Sequence, residues 1–160
     1  RWDDLDTPGP DGVVDDLLKL LRRGGWQPGY AYCMSFAKGV WLEAYLKLKA
    51  PVAMLDRFNK YLSVSVMDTF KKNLRSVTRS PLPGAIFLMQ KGASSSGHAG
   101  IVVSVSKTKF DTIEGNTFPA PKSAASDREG DGIFRRERAL DFTWQRSRLW
   151  LRGFINPIPF

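Results

Sequence analysis

The chain has one cysteine and one histidine among its 160 residues, and the surroundings of each suit covalent chemistry. Cys33 opens the run Cys33-Met34-Ser35-Phe36-Ala37-Lys38-Gly39-Val40-Trp41, whose apolar spacing predicts a buried helix. His98 lies in Gly97-His98-Ala99-Gly100-Ile101-Val102-Val103, a strand pattern. A further strand-like stretch ends in Ile113-Glu114-Gly115-Asn116, which offers a carboxylate and a carboxamide. A free thiol with a pKa near ~8.5 is mostly protonated at neutral pH, and only its thiolate attacks carbonyl carbon. A helix N-terminus and a neighbouring imidazolium both favour that thiolate. His98 could then return a proton to a leaving amine, with Glu114 or Asn116 holding the ring in the useful tautomer. Those two positions are i and i+2 on a strand, so both could face one side of a sheet. An acyl intermediate also needs donors for its oxyanion. The Cys33 amide is the natural first, and Gln27 is a candidate second, with Tyr30 or Tyr32 as substitutes.

Taken singly, each residue has an ordinary reading. A lone Cys beside Trp and Phe is commonly a small buried hydrophobe, a lone His at a strand start is commonly structural, and Glu-Gly-Asn is a common turn. The weight lies in their joint occurrence and order. A zinc site is disfavoured, since one Cys and one His would need two carboxylates at no suggestive spacing. Asp3, Asp4 and Asp6 lack the Gly turn and distal Glu of a calcium loop. The sequence therefore predicts no cofactor and no metal ligand.

The elements that must position these residues read as follows. Residues 1–11 form an acidic lead-in rich in Pro and Gly, and Asp11 could cap a helix whose face is Val13, Val14, Leu17, Leu18, Leu20 and Leu21. Arg22 and Arg23 suit its C-terminal dipole, and Gly24-Gly25 stops it. A second helix runs from Cys33 to about Lys49, ended by Pro51, and residues 52–61 and 66–75 form shorter helical pieces. After Ser80-Pro81-Leu82-Pro83-Gly84 the pattern turns to strands: 85–90, 99–106, 110–114, 133–138 and 149–155. The Pro/Ala/Ser stretch at 118–126 is a connection. Helices followed by consecutive strands predict one α+β domain over 12–157, with N-terminal helices packed on a C-terminal antiparallel sheet of about five strands.

Composition narrows the remaining classes. A hydrophobic content of 42%, with ten Phe and five Trp, is that of a packed globular chain. One Cys excludes an intrachain disulfide, and no apolar stretch reaches the ~18 residues of a membrane span. Beginning at Arg1 without a Met, the sequence reads as a processed or excised form, so its lack of a leader does not fix a destination. The net charge of +8 is uneven: residues 1–16 carry six Asp and one Arg, and residues 57–91 carry seven Lys or Arg against Asp68 alone. Such a surface attracts polyanions, but no nucleic-acid motif or aromatic interleaving accompanies it, so nucleic acid is not the expected partner.

Together these motifs resemble the CHAP-domain hydrolases of the NlpC/P60 papain-like superfamily. Tyr32-Cys33-Met34-Ser35-Phe36-Ala37 resembles the nucleophile helix, and Pro83-Gly84-Ala85-Ile86-Phe87 the lead into the first sheet strand, with Ala85 where an acidic residue is usual. Gly97 to Val102 resembles the His strand, Thr112 to Thr117 the third-residue strand, Gly132 to Arg138 the Arg-rich strand that follows, and Gly153 to Pro157 the closing one. The resemblance implies a papain-like fold and a cysteine amidase or endopeptidase that cuts peptidoglycan. It makes Cys33 the nucleophile, His98 the base, Glu114 the orienting residue and Asn116 a supporting group. It also implies action at the cell wall by a secreted, periplasmic or phage-delivered protein, with an immunity or delivery protein as a conceivable partner. Tyr32 stands where Trp is common, and the basic insert at about 52–80 lies outside the shared motifs, as one wall of a substrate groove or a docking surface. Residues 24–32 contain no carboxylate, so the family's calcium site is not carried over. The rival expectations are an amidase on a small peptide–polyamine conjugate and a non-catalytic basic interaction domain.

Overall fold

The structure, a computed structural model, describes residues 13–117 and 132–160, with side chains for 16–115 and 132–160. The lead-in at 1–11, the Asp11 cap, the Asp3–Asp4–Asp6 cluster and the connection at 118–126 lie outside the described residues. Four helices come first: α1 (Val13–Arg23), α2 (Cys33–Lys47), α3 (Val52–Tyr61) and α4 (Val66–Lys72). Six strands follow: β1 (Val77–Thr78), β2 (Ile86–Lys91), β3 (Gly97–Val105), β4 (Lys109–Thr117), β5 (Gly132–Ala139) and β6 (Leu149–Ile155). They form one sheet in the order β1-β6-β2-β3-β4-β5, and every pairing is antiparallel. The α+β architecture is the expected one. Its sixth strand is the two-residue β1, too short to leave a periodic signal in the sequence.

α2 is the helix that matters. Every residue from Cys33 to Gly39 is buried, as are Trp41, Leu42 and Tyr45, so the helix runs through the interior with no solvent face over its first two turns. It ends at Lys47 rather than Lys49, because Lys49 takes a left-handed conformation (φ 56°) that cannot continue a helix. Its far end is anchored by the packed rings of Trp41, Tyr45 and Phe58, with Tyr45 and Phe58 edge to face at 4.6 Å. Trp41 Nε1 donates to the Gly84 carbonyl (2.8 Å), and the Tyr45 hydroxyl donates to the Ile158 carbonyl (2.9 Å) while accepting from the Ile158 amide (2.7 Å). Buried donors without such partners would cost about 1–3 kcal/mol each.

Two faces of α2 pack closely because glycine permits it. A Cβ on Gly39 would stand 2.4 Å from the Leu20 carbonyl oxygen, so α1 crosses α2 at near backbone contact. Leu18 and Leu21 of α1 then bury against Trp26, Tyr32 and Phe36, which is the apolar face the spacing predicts. On the sheet side, a Cβ on Gly115 of β4 would lie 2.9 Å from the Phe36 Cβ and 3.0 Å from the Tyr32 ring. The Cys33-bearing end of α2 therefore rests directly on β4.

Candidate active site

Cys33 is the first residue of α2, His98 the second of β3, and Glu114 sits within β4. β3 and β4 are adjacent strands, and α2 lies across both. All three side chains are buried, His98 and Glu114 completely. His98 Nε2 is 2.7 Å from Glu114 Oε2. The other ring nitrogen, Nδ1, makes no hydrogen bond of ordinary geometry, yet the Cys33 thiol is near enough for ring and thiol to shift each other's protonation. Loose contacts of this kind are usual between a nucleophile and its base before substrate arrives.

Burial alone would raise the Cys33 thiol. The nearby His98 ring and its charge, with the backbone amides of Ala99 and Met34, outweigh it, and the thiol's pKa falls below its ordinary value. Burial alone would likewise lower His98, but Cys33 and Glu114 raise it to about 9. Both shifts act in the same sense, favouring the charged thiolate–imidazolium pair over the neutral one. α2 assists because its N-cap residue, Tyr32, gives no side-chain cap and its first turn carries no acidic residue. Of its first-turn amides, that of Met34 acts on the sulfur.

Glu114 is held from four directions. Besides His98, Thr112 Oγ1 donates to Oε1 at 2.5 Å, Arg138 Nε donates to Oε1 at 2.8 Å, and Arg138 Nη2 donates to Oε2 at 2.6 Å. Burial would raise this carboxyl, but Arg138 and His98 hold it far below the usual carboxylate range. Arg138 was missed as a site residue in the sequence. It stands opposite Phe110 in the β4–β5 register and reaches back along the sheet to Glu114, so neither residue is the other's direct cross-strand partner.

Cys33 opens onto a cleft of about 360 Å³ lined by Gly29, Tyr30 and Ala31, by Val64, Ser65 and Val66, and by Ser95, Ser96 and Gly97. The α3–α4 loop of the basic insert thus supplies one wall. Tyr30 lines the same cleft as the thiol. Gln27 is exposed and does not line it, its backbone carbonyl instead accepting from the Tyr30 amide in a turn. Tyr32 is buried under α2. Asn116 lies in β4 at a register shift between Gly115 and Thr117, which interrupts the simple alternation that would put it on the Glu114 face, and its side chain is outside the described residues. Among the described residues no group of three or more His, Cys, Asp or Glu side chains could hold a metal ion, and no helix is long and apolar enough to cross a membrane.

A helix-start cysteine, a buried histidine and a buried carboxylate on neighbouring strands define the papain-like arrangement that the motifs resemble. Residues 25–116 match the CHAP domain, more than half of the chain, and the protein belongs to that family of peptidoglycan amidases and endopeptidases. No curated protein and no solved structure matches the chain.

Proposed function

We propose that this protein is a cysteine amidase or endopeptidase that cleaves an amide bond in the peptides of bacterial peptidoglycan. The observation that carries the reading is the buried Cys33–His98–Glu114 relay opening onto a cleft. The Cys33 thiolate attacks the scissile carbonyl, and the developing oxyanion forms near the amides at the start of α2. Tyr30, which lines the cleft, is better placed than Gln27 to add a second donor. The His98 imidazolium gives its Nδ1 proton to the leaving amine, while Nε2 stays bonded to Glu114. A thioacyl-enzyme remains. Water then attacks it, with neutral His98 taking the water's proton and returning it to the sulfur as the bond breaks, and the carboxylic acid product leaves. The site of action is the bacterial cell wall, reached by secretion, export to the periplasm or phage delivery.

Digestion of purified sacculi tests this, with mass analysis of the soluble fragments to name the bond. The native chain should release peptide fragments and Cys33→Ala should release none. Equal release by both would end the proposal.

A further inference from the structure

In the proposed thiol mechanism four ionised side chains meet in this interior: Cys33, His98, Glu114 and Arg138, on α2, β3, β4 and β5 in turn. Two are anions and two are cations, so the group carries no net charge. Arg138 is the member without a direct part in the proposed chemistry. Its side chain is only 9% exposed, its fork grips both oxygens of a fully buried carboxylate, and its guanidinium sits 6.0 Å from the Phe87 ring. A buried carboxylate caught between a guanidinium and an imidazolium stays ionised and planar to both.

Resting on the proposed thiol mechanism, we propose that Arg138 is a positioning residue of this site, whose charge balances Glu114 and so allows Cys33 to remain a thiolate. With Arg138 neutralised, Cys33, His98 and Glu114 would carry a net charge of −1 away from water. Such a group takes up a proton readily, and the thiolate is the anion that can accept it while the His98–Glu114 bond survives. Of the other charged residues nearby, Arg136 of β5 accepts a bond from Thr112 Oγ1 at its backbone carbonyl. Lys38, the buried lysine of α2, faces Lys72 of α4. Beyond Arg138, on its outer side, the charged groups are Glu137, Asp141 and Arg148, which line a separate cavity of about 340 Å³ with it.

The test is the rate of Cys33 alkylation by iodoacetamide against pH, which needs no substrate. The acid limb of this profile reports protonation of the thiolate. Arg138→Gln should move that limb up by about one to three pH units. Arg138→Lys keeps the charge and should leave the limb near its native position. Glu114→Gln removes the anion, leaves the group at +1 and should move the limb down. The double variant Arg138→Gln with Glu114→Gln is neutral again and should return it towards the native value. A structural role alone would lower the rate at every pH, add its losses in the double variant and leave the limb in place, and that result overturns the proposal. If Arg138→Gln shows no near-ultraviolet circular dichroism of a folded chain, the double variant decides. A folded double variant with a native limb supports charge balance, and one that is unfolded or has a raised limb refutes it. A native Cys33 no more reactive than a free thiol would instead sink the proposed hydrolase mechanism, a separate failure.

Discussion

Neighbouring residues of β5 make the same kind of bond with opposite consequences. Glu137 pairs with Lys109 at 2.6 Å, and Arg138 pairs with Glu114 at the same distance, but successive strand residues point to opposite faces. The first pair is 55% and 58% exposed, and the second 9% and 0%. In water, the Lys109–Glu137 pair exchanges one solvation for another and is screened by salt. Inside, the Arg138–Glu114 pair has no solvent to return to, so losing one partner leaves an unmatched charge. The difference teaches that distance says little about what an ion pair does. Its surroundings decide.

That contrast can be pressed in several ways. Cys33→Ala removes all reactivity while leaving the buried ion pair intact, so hydrolysis of sacculi should fall to background with thermal unfolding nearly unchanged. Arg138→Met should lower stability by about 3–5 kcal/mol in urea titration, as removing one partner of a buried ion pair does. Gly115→Ala forces a methyl group against Phe36 and Tyr32, and overpacking of this kind costs about 1–3 kcal/mol. It should depress hydrolysis as well, because it pushes α2 away from β4.

Hydrolysis by the native chain should fall about tenfold per pH unit above about 9, where His98 loses the proton that the proposed mechanism gives to the leaving amine. Alkylation of Cys33 should show no such fall, since the thiolate persists there. At the other extreme, Lys109→Met should leave both the unfolding midpoint and the alkylation profile where they were. A measurable loss in either would erase the distinction between the two faces of β5.

Much of this molecule was legible in its sequence because the relevant signals are local. The α1 face at Leu18 and Leu21, the stop at Gly24-Gly25, the apolar run from Cys33 and the alternating strands all follow from short-range spacing. The order of Cys33, His98 and Glu114 was legible for the same reason, since each falls at a recognisable place in its own element. What escaped was fixed by packing between elements. Arg138 is one of several arginines on its strand, and only the sheet's register and curvature choose it over Arg135 and Arg136. Gln27 was plausible from its spacing to Cys33, but the turn at Gly29, with φ 86°, directs Tyr30 rather than Gln27 into the cleft. Lys38 is buried although its type predicts exposure, a placement that belongs to the interior position of α2.

The dispersed origin of the proposed catalytic cluster also bears on time. Its members come from α2, β3, β4 and β5, and no two of Cys33, His98, Glu114 and Arg138 are close in sequence. In the extended chain Cys33 is an ordinary thiol, slow to react and harmless to neighbouring molecules. Contacts between distant segments form late in folding, so the sheet must close before the sulfur is activated. The rise of thiol reactivity during refolding should thus time the last step of folding.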